Sequence, residues 1–208
     1  MSQLRRGHLS VIAGPMGSGK SIRMIEAISL AKIRKLRVCA VKPTLDTRDG
    51  STIKTRLAIE PIPAIGISTP EDLLLATQEA DFVAIDEAQF LDASILPAIQ
   101  DLLKRGVEIV AGGLDTDFLG RPYGIMPQLL AMADDVTKMK AVCTLCSKKL
   151  ATRTNFTFHP QGEDESFELF AYRRQKLEDF LSGKSHELVG DMGAYEPRCP
   201  DHHFSPSF

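Results

Sequence analysis

Apolar, β-branched runs alternate along the chain with stretches whose apolar positions recur at helical spacing. Short apolar runs bounded by turn residues predict strands buried on both faces. The helical patterns between them supply crossovers, so the expectation is a mostly parallel sheet with helices on its faces. The runs place strands at Leu9–Ala13, Arg37–Lys42, Ala64–Ile67, Phe82–Ile85, Glu108–Ala111 and Val136–Lys140. Helices fall at Lys20–Lys35, Pro70–Gln78, Ser94–Arg105 and around Met126–Ala133. Gly106 closes the third helix and Pro43 the second strand. The polar stretch from Thr47 to Pro63, ending in Pro-Ile-Pro, reads as an extended loop. From about Ala141 the pattern changes to short segments, paired cysteines and a charged insert. That change divides the chain into a core at residues 1–140 and a smaller domain at residues 141–208.

Composition narrows the classes. A chain of 208 residues holds one substantial domain and a small appendage. The net charge of −2 offers no basic field for bulk nucleic-acid binding. No apolar run reaches the length of a membrane span, and Arg5, Arg6 and His8 are not followed by a secretory core. The expectation is a cytoplasmic protein with neither membrane nor nucleic acid as partner. Four cysteines are too few for a disulfide scaffold.

The strongest chemical signal is Gly14-Pro15-Met16-Gly17-Ser18-Gly19-Lys20-Ser21, which follows the first strand and opens the first helix. Glycines let successive backbone N–H groups turn inward, and the helix N-terminus adds its partial positive charge. Lys20 reaches β- and γ-phosphates in such a loop, and the Ser21 hydroxyl ligates Mg²⁺. A chance glycine-rich turn would need neither strand nor helix around it. The reading is a nucleoside triphosphate site, ATP with Mg²⁺.

A second motif supports it. The strand Phe82–Ile85 ends in Asp86-Glu87. Phosphoryl-transfer sites need an acid at such a strand end for the metal, and ligands of open α/β sheets gather at carboxyl edges. Asp86 fits the metal role, and Glu87 lies where a proton acceptor is wanted. A solvated acidic loop is the plainer reading, made unattractive by the upstream phosphate loop. Asp86-Glu87-Ala88-Gln89 also resembles the acidic motif of RNA helicases, but this chain has no room for a second motor domain.

Cys143-x2-Cys146 and Cys199-x2-His202 offer three thiolates and an imidazole, a closed tetrahedral set suited to structural Zn²⁺. His203 competes for the fourth place, and Asp201 more weakly. Cys39, inside an apolar strand, reads as a small core residue.

Taken in order, Gly14–Ser21, Lys42-Pro43 with Asp46 and Arg48, Asp86–Phe90, Gly113–Phe118, Tyr195–Cys199 and the two knuckles resemble the cytosolic (type II) thymidine kinases. The resemblance covers nearly the whole chain. It implies an α/β P-loop (RecA-like) parallel sheet flanked by helices, with a small zinc-binding lasso domain closing over the nucleoside. By that resemblance Glu87 is the general base, Arg48 steadies phosphate charge, and Asp46 is an acid near the metal. Gln89 counts with the ATP and metal residues. Phe118 packs on the thymine ring, with Met16, Leu114 and Tyr123 lining the pocket. Thr154, the backbone of Leu188, Val189 and Gly190, and Tyr195 face the base. The resemblance further implies ATP and thymidine as substrates and a homodimer or homotetramer.

The chain departs from the pattern in places. Leu119-Gly120-Arg121-Pro122-Tyr123 stands where Arg-Gly-Glu-Pro-Phe is common. Thr55-Arg56-Leu57-Ala58 replaces a Ser-His or Ser-Arg-x-Gly segment, and Cys146 to Thr154 is one residue longer than usual. About twenty extra residues around Gln161–Ser182 include Phe167, Phe170, Leu177 and Phe180 at helical spacing, an added amphipathic helix. Two other readings remain at this point: a related kinase of different base preference, and a zinc-ribbon nucleic-acid module on an ATPase core. The second draws on Lys148, Lys149 and Arg153, and is opposed by Glu163, Asp164, Glu165, Glu187 and Asp191.

Overall fold

The structure, a computed structural model, describes residues 6–45, 52–53, 60–156, 182 and 195–203. In chain order the strands of the core are β1 (Leu9–Ala13), β2 (Val38–Pro43), β3 (Thr52–Ile53), β4 (Ile62–Pro63), β5 (Ile65–Ile67), β6 (Phe82–Ile85), β7 (Glu108–Gly113) and β8 (Asp135–Lys138). The helices are α1 (Lys20–Ile33), α2 (Pro70–Ala76), α3 (Leu96–Lys104) and α4 (Met126–Met132). Six strands form one sheet in the order β5-β2-β6-β7-β1-β8. Every pairing within it is parallel.

Strand alternation decides which residues meet which helices. Leu9, Val11 and Ala13 of β1 and Val83 and Ile85 of β6 pack with Leu73 of α2, Ile99 and Leu102 of α3, and Leu129 of α4. The intervening Ile12, Phe82 and Ala84 pack on the opposite face with Met24, Ile25, Ile28 and Ala31 of α1. Both faces of the sheet are therefore covered, as a parallel sheet requires. Among the described residues no helix is long and apolar enough to cross a membrane.

The helix starts follow local chemistry. Thr69 caps α2 through a capping box with Asp72, and Pro70 occupies its first turn. The third helix, expected as one element from Ser94, begins instead as a 3₁₀ turn at Ala93–Ile95. Pro97 has no N–H to donate back to Ala93, so the regular α pattern starts only at Leu96, with Pro97 in its first turn.

Several boundaries and one segment differ from expectation: β2 lies one residue later at both ends and so includes Pro43, β5 starts one residue later, and α1 and α2 each end two residues earlier. β7 extends two residues further, through Gly112 and Gly113, and β8 starts and ends earlier. The stretch expected as an extended loop contains the antiparallel pair β3–β4, with Thr52 opposite Pro63 and Ile53 opposite Ile62. Ile53 is buried against the α1 face of the core, so tertiary packing rather than periodicity orders these two-residue strands.

Beyond residue 140 the described strands are β9 (Ala141–Val142), β10 (Leu150–Ala151), β11 (Arg153–Phe156) and β12 (Tyr195–Arg198). β9 pairs with β10, and β11 with β12, both antiparallel.

Candidate active site

Three loops leave the carboxyl edge of the sheet side by side. In register, Ala13 of β1 lies opposite Gly113 of β7, and Ala111 of β7 lies opposite Ile85 of β6. The loop after β1 is Gly14–Gly19, that after β6 carries Asp86 and Glu87, and that after β7 runs from Leu114 to Tyr123.

Gly19 sits at φ +85, a left-handed conformation that turns the phosphate loop into α1. It provides no side-chain cap, so the first-turn N–H groups of α1 are left to a ligand. Lys20 Nζ donates to the carbonyl oxygens of Gly14 (3.0 Å) and Pro15 (2.9 Å), which holds the ammonium over the loop. The Ser18 hydroxyl is buried and has no hydrogen-bond partner among the described residues.

At the next strand end, Asp86 Oδ1 accepts from the N–H of Glu87 at 3.0 Å. Glu87 has φ +49 and ψ +41, a left-handed conformation unusual for a residue with a Cβ. Such strain persists only where surroundings impose it, and it concentrates at functional positions. Gln89, counted above with the ATP and metal residues, is only 2% exposed. Its Nε2 donates to Glu87 Oε2 at 2.5 Å, and its Oε1 accepts from the N–H of Leu114 at 3.0 Å.

The loop after β7 is ordered by Asp117, which accepts from the backbone N–H groups of Leu119 and Arg121 and from Arg121 Nε. Phe118 is thereby carried into an aromatic cluster with Phe156 (centroids 5.9 Å) and Tyr195 (6.4 Å). Tyr123 meets Phe90 edge-on at 5.7 Å.

The antiparallel β11–β12 pair reaches this edge with one face. Thr154 Oγ1 accepts from the N–H of Met16 at 3.0 Å, and Pro197 approaches Gly17. Phe156 and Tyr195 share that face by register and stack at 5.2 Å. On the other face Glu196 pairs with Arg198 (2.7 Å) and with the hydroxyl of Thr144, next to Cys143.

The cysteine knuckles come together. One donor atom from each of Cys143, Cys146, Cys199 and His202 lies within 4.8 Å of all the others. His202 Nδ1 is 3.7 Å from Cys143 Sγ and 3.3 Å from Cys199 Sγ. A tetrahedral S–Zn–N edge is about 3.6 Å, so the donor set fits that ion. Burial of Cys143 opposes its ionisation. The backbone N–H groups of Cys199, Cys146 and Leu145 and the His202 ring outweigh burial, and the thiol is lowered to about 5. Cys146 is lowered too, chiefly by the N–H groups of Lys148 and Lys149. This cluster can hold a metal ion. Lys149 and Asp201 tie the two knuckles together from outside.

His203 is turned away from the cluster: its Nε2 meets the carbonyl oxygen of Phe118 at 2.8 Å. Cys39 is half-buried with its thiol on the carbonyl of Ala76, as a core position would have it. Asp46, Arg48, Leu188, Val189 and Gly190 lie outside the described residues, as does nearly all of the Gln161–Ser182 insert. Phe156 was not among the expected residues, and Asp117, inside the run Gly113–Phe118, was given no role. The alternation Thr154, Phe156 along β11 and the short polar run before Gly120 were the signals for them.

A thymidine kinase family model matches residues 7–203. The chain is 36% identical over 200 residues to the thymidine kinase of Coprothermobacter proteolyticus, covering 96% of this chain and 92% of that protein. It is 36% identical over 203 residues to the thymidine kinase of Mycoplasma genitalium, covering 97% and 85% respectively. For the thymidine kinase of Bacteroides thetaiotaomicron the figures are 35% over 195 residues, 94% and 86%. With the phosphate loop, the acid pair and the Cys/His cluster all inside the matched region, this chain belongs to the thymidine kinase family.

Proposed function

We propose that the chain transfers the γ-phosphoryl group of ATP to the 5′-hydroxyl of thymidine, giving dTMP and ADP. One observation carries this reading furthest. The carboxylate at the end of β6 and the loop after β7 form one hydrogen-bonded unit, since Gln89 bridges Glu87 to Leu114. A proton acceptor is thus tied to the segment that lines the nucleoside pocket.

In the proposed reaction the 5′-oxygen attacks the γ-phosphorus while the bond to the β–γ bridging oxygen breaks and ADP leaves. Glu87 takes the hydroxyl proton. Little covalent chemistry falls to the protein; positioning and charge stabilisation dominate. The N-terminus of α1 and Lys20 hold the triphosphate, and the unpartnered Ser18 hydroxyl adds a donor. Ser21 and Asp86 offer the hard oxygen ligands suited to Mg²⁺, which when bound neutralises charge developing on the phosphate oxygens. Arg48 and Asp46 are assigned to the same phosphates. Phe118, Leu114, Tyr123, Met16 and Tyr195 form the base pocket, completed by Thr154 and the backbone of Leu188–Gly190.

Zinc is the ion assigned to Cys143, Cys146, Cys199 and His202, and its role is structural because protein fills all four positions. Fixing both ends of the lasso makes a loop that reads a base through its backbone rigid enough to do so. The reaction is placed in the cytoplasm. An assembly of two or four copies agrees with exposed apolar Leu30 and Ile33 on α1.

Replacing Glu87 with Gln keeps the shape and removes the proton acceptor. The expected loss in kcat is about 10²–10⁴-fold with ATP binding retained. Steady-state kinetics check this, and an unchanged kcat would take Glu87 out of the role.

Elemental analysis is expected to find one zinc per chain, lowered by His202→Ala and retained in His203→Ala. The latter loses only the hydrogen bond to Phe118, so the thymidine KM rises roughly 2–10-fold, as one hydrogen bond allows. Zinc lost from His203→Ala and kept in His202→Ala would reverse the assignment.

A panel of nucleosides tests the base. Deoxyuridine lacks only the 5-methyl group and is expected to be poorer by about 10–200-fold in kcat/KM. Deoxycytidine puts a donor where backbone groups expect an acceptor and is expected to be worse still. Equal turnover of deoxycytidine or deoxyadenosine would replace thymidine as the substrate.

A further inference from the structure

Resting on that reading of Glu87 as the base, we infer that Gln89 is a positioning residue for Glu87, and that it ties the base to the nucleoside loop rather than binding ATP or metal. Its amide chemistry fixes its orientation. The backbone N–H of Leu114 can only donate, so Gln89 must present its oxygen there, at 3.0 Å. The NH₂ end is then directed at Glu87 Oε2, at 2.5 Å. A carboxylate accepts this bond best as an anion, the form that takes a proton.

The residue has little room to do anything else. Gln89 is 2% exposed and sits in the 3₁₀ turn Ala88–Phe90 that follows Glu87. A Cβ at Gly113 would lie 2.6 Å from Gln89 Oε1, and one at Gly124 would lie 2.0 Å from the Gln89 carbonyl oxygen. Gly124 also has φ +51, which a side chain would strain. Two glycines that flank the loop after β7 thus press against both the side chain and the backbone of Gln89. Phe90, the next residue, stacks edge-on with Tyr123 of the same loop.

The left-handed backbone of Glu87 gains its reason from this clamp. At φ +49 the side chain of residue 87 is thrown to one side of the turn, and Gln89 holds the carboxylate where it lands. Because the same amide grips Leu114, a displacement of the nucleoside loop moves the base with it. Base and acceptor hydroxyl are kept in one frame, which is where an error near 1 Å costs most in rate.

Gln89→Glu tests the assignment. It preserves size and the acceptor for Leu114, and it sets a second carboxylate against Glu87 in place of a donor. The expected result is a kcat loss of roughly 10–100-fold with KM for thymidine and ATP within about threefold of wild type. Gln89→Asn withdraws the amide by one methylene without adding charge, and is expected to lower kcat in the same pattern. A change confined to the KM for ATP or to Mg²⁺ dependence would overturn the proposal and return Gln89 to the phosphate site. A wild-type kcat in folded Gln89→Asn would also overturn it.

A double-mutant cycle separates this from failure of the base itself. In the Glu87→Gln background, Gln89→Glu is expected to add less than about a threefold further loss, because the group it acts through is gone. Multiplicative losses would overturn the positioning role while leaving Glu87 as base. A Glu87→Gln variant of normal kcat would instead sink the base, and the proposal with it.

Discussion

Everything in the site depends on β7 being hydrogen-bonded between β1 and β6. That order brings the phosphate loop, the acid pair and the loop after β7 to one edge of a parallel sheet. The register is not free to slip. Each of these strands buries alternate residues against different helices, so a shift by one residue would exchange the two buried sets. The edge is therefore a rigid frame. Side chains hung from it, such as Gln89 and Lys20, inherit positions set by the whole core.

Beyond residue 140 the described part of the chain is organised differently. Its described core is a cluster of Ala141, Cys143, Ala151 and Cys199, with Cys146 against it. Where a described core is this small, a bound metal is an ordinary way to fasten it. The antiparallel β11–β12 pair then works as a two-faced connector. Glu196 and Arg198 look toward the knuckles, whereas Thr154, Pro197, Phe156 and Tyr195 meet the phosphate loop and Phe118. His203 adds a second tether at the Phe118 carbonyl, so the segment bearing the Cys/His cluster and the loop after β7 are fastened at two points.

Much of this was legible in the residues. Phe82–Ile85 is a run of four apolar residues ending in acids, and it is a strand with the predicted bounds. The i to i+3 spacing pairs Cys143 with Cys146 and Cys199 with His202, and contacts such as the Thr144 N–H on the Pro197 carbonyl bring the two knuckles together. What sequence could not yield were arrangements created by tertiary contact. The β3–β4 pair is too short to show a period, and the 3₁₀ start before α3 depends on one missing N–H at Pro97. His202 and His203 are chemically identical, and only the turn at Pro200–His202 sends one to the sulfurs and the other to Phe118. The clamp by Gln89 joins residues 25 positions apart, which no local pattern reports.

The central claim is that ATP is consumed here to phosphorylate a nucleoside at the sheet edge. The most direct measurement is ADP release by the purified protein with ATP and Mg²⁺, comparing thymidine, single-stranded DNA and neither. Thymidine is expected to stimulate ADP release with one dTMP formed per ADP, and DNA to add nothing. Release stimulated by DNA, or release that proceeds equally without thymidine and yields no dTMP, would contradict it.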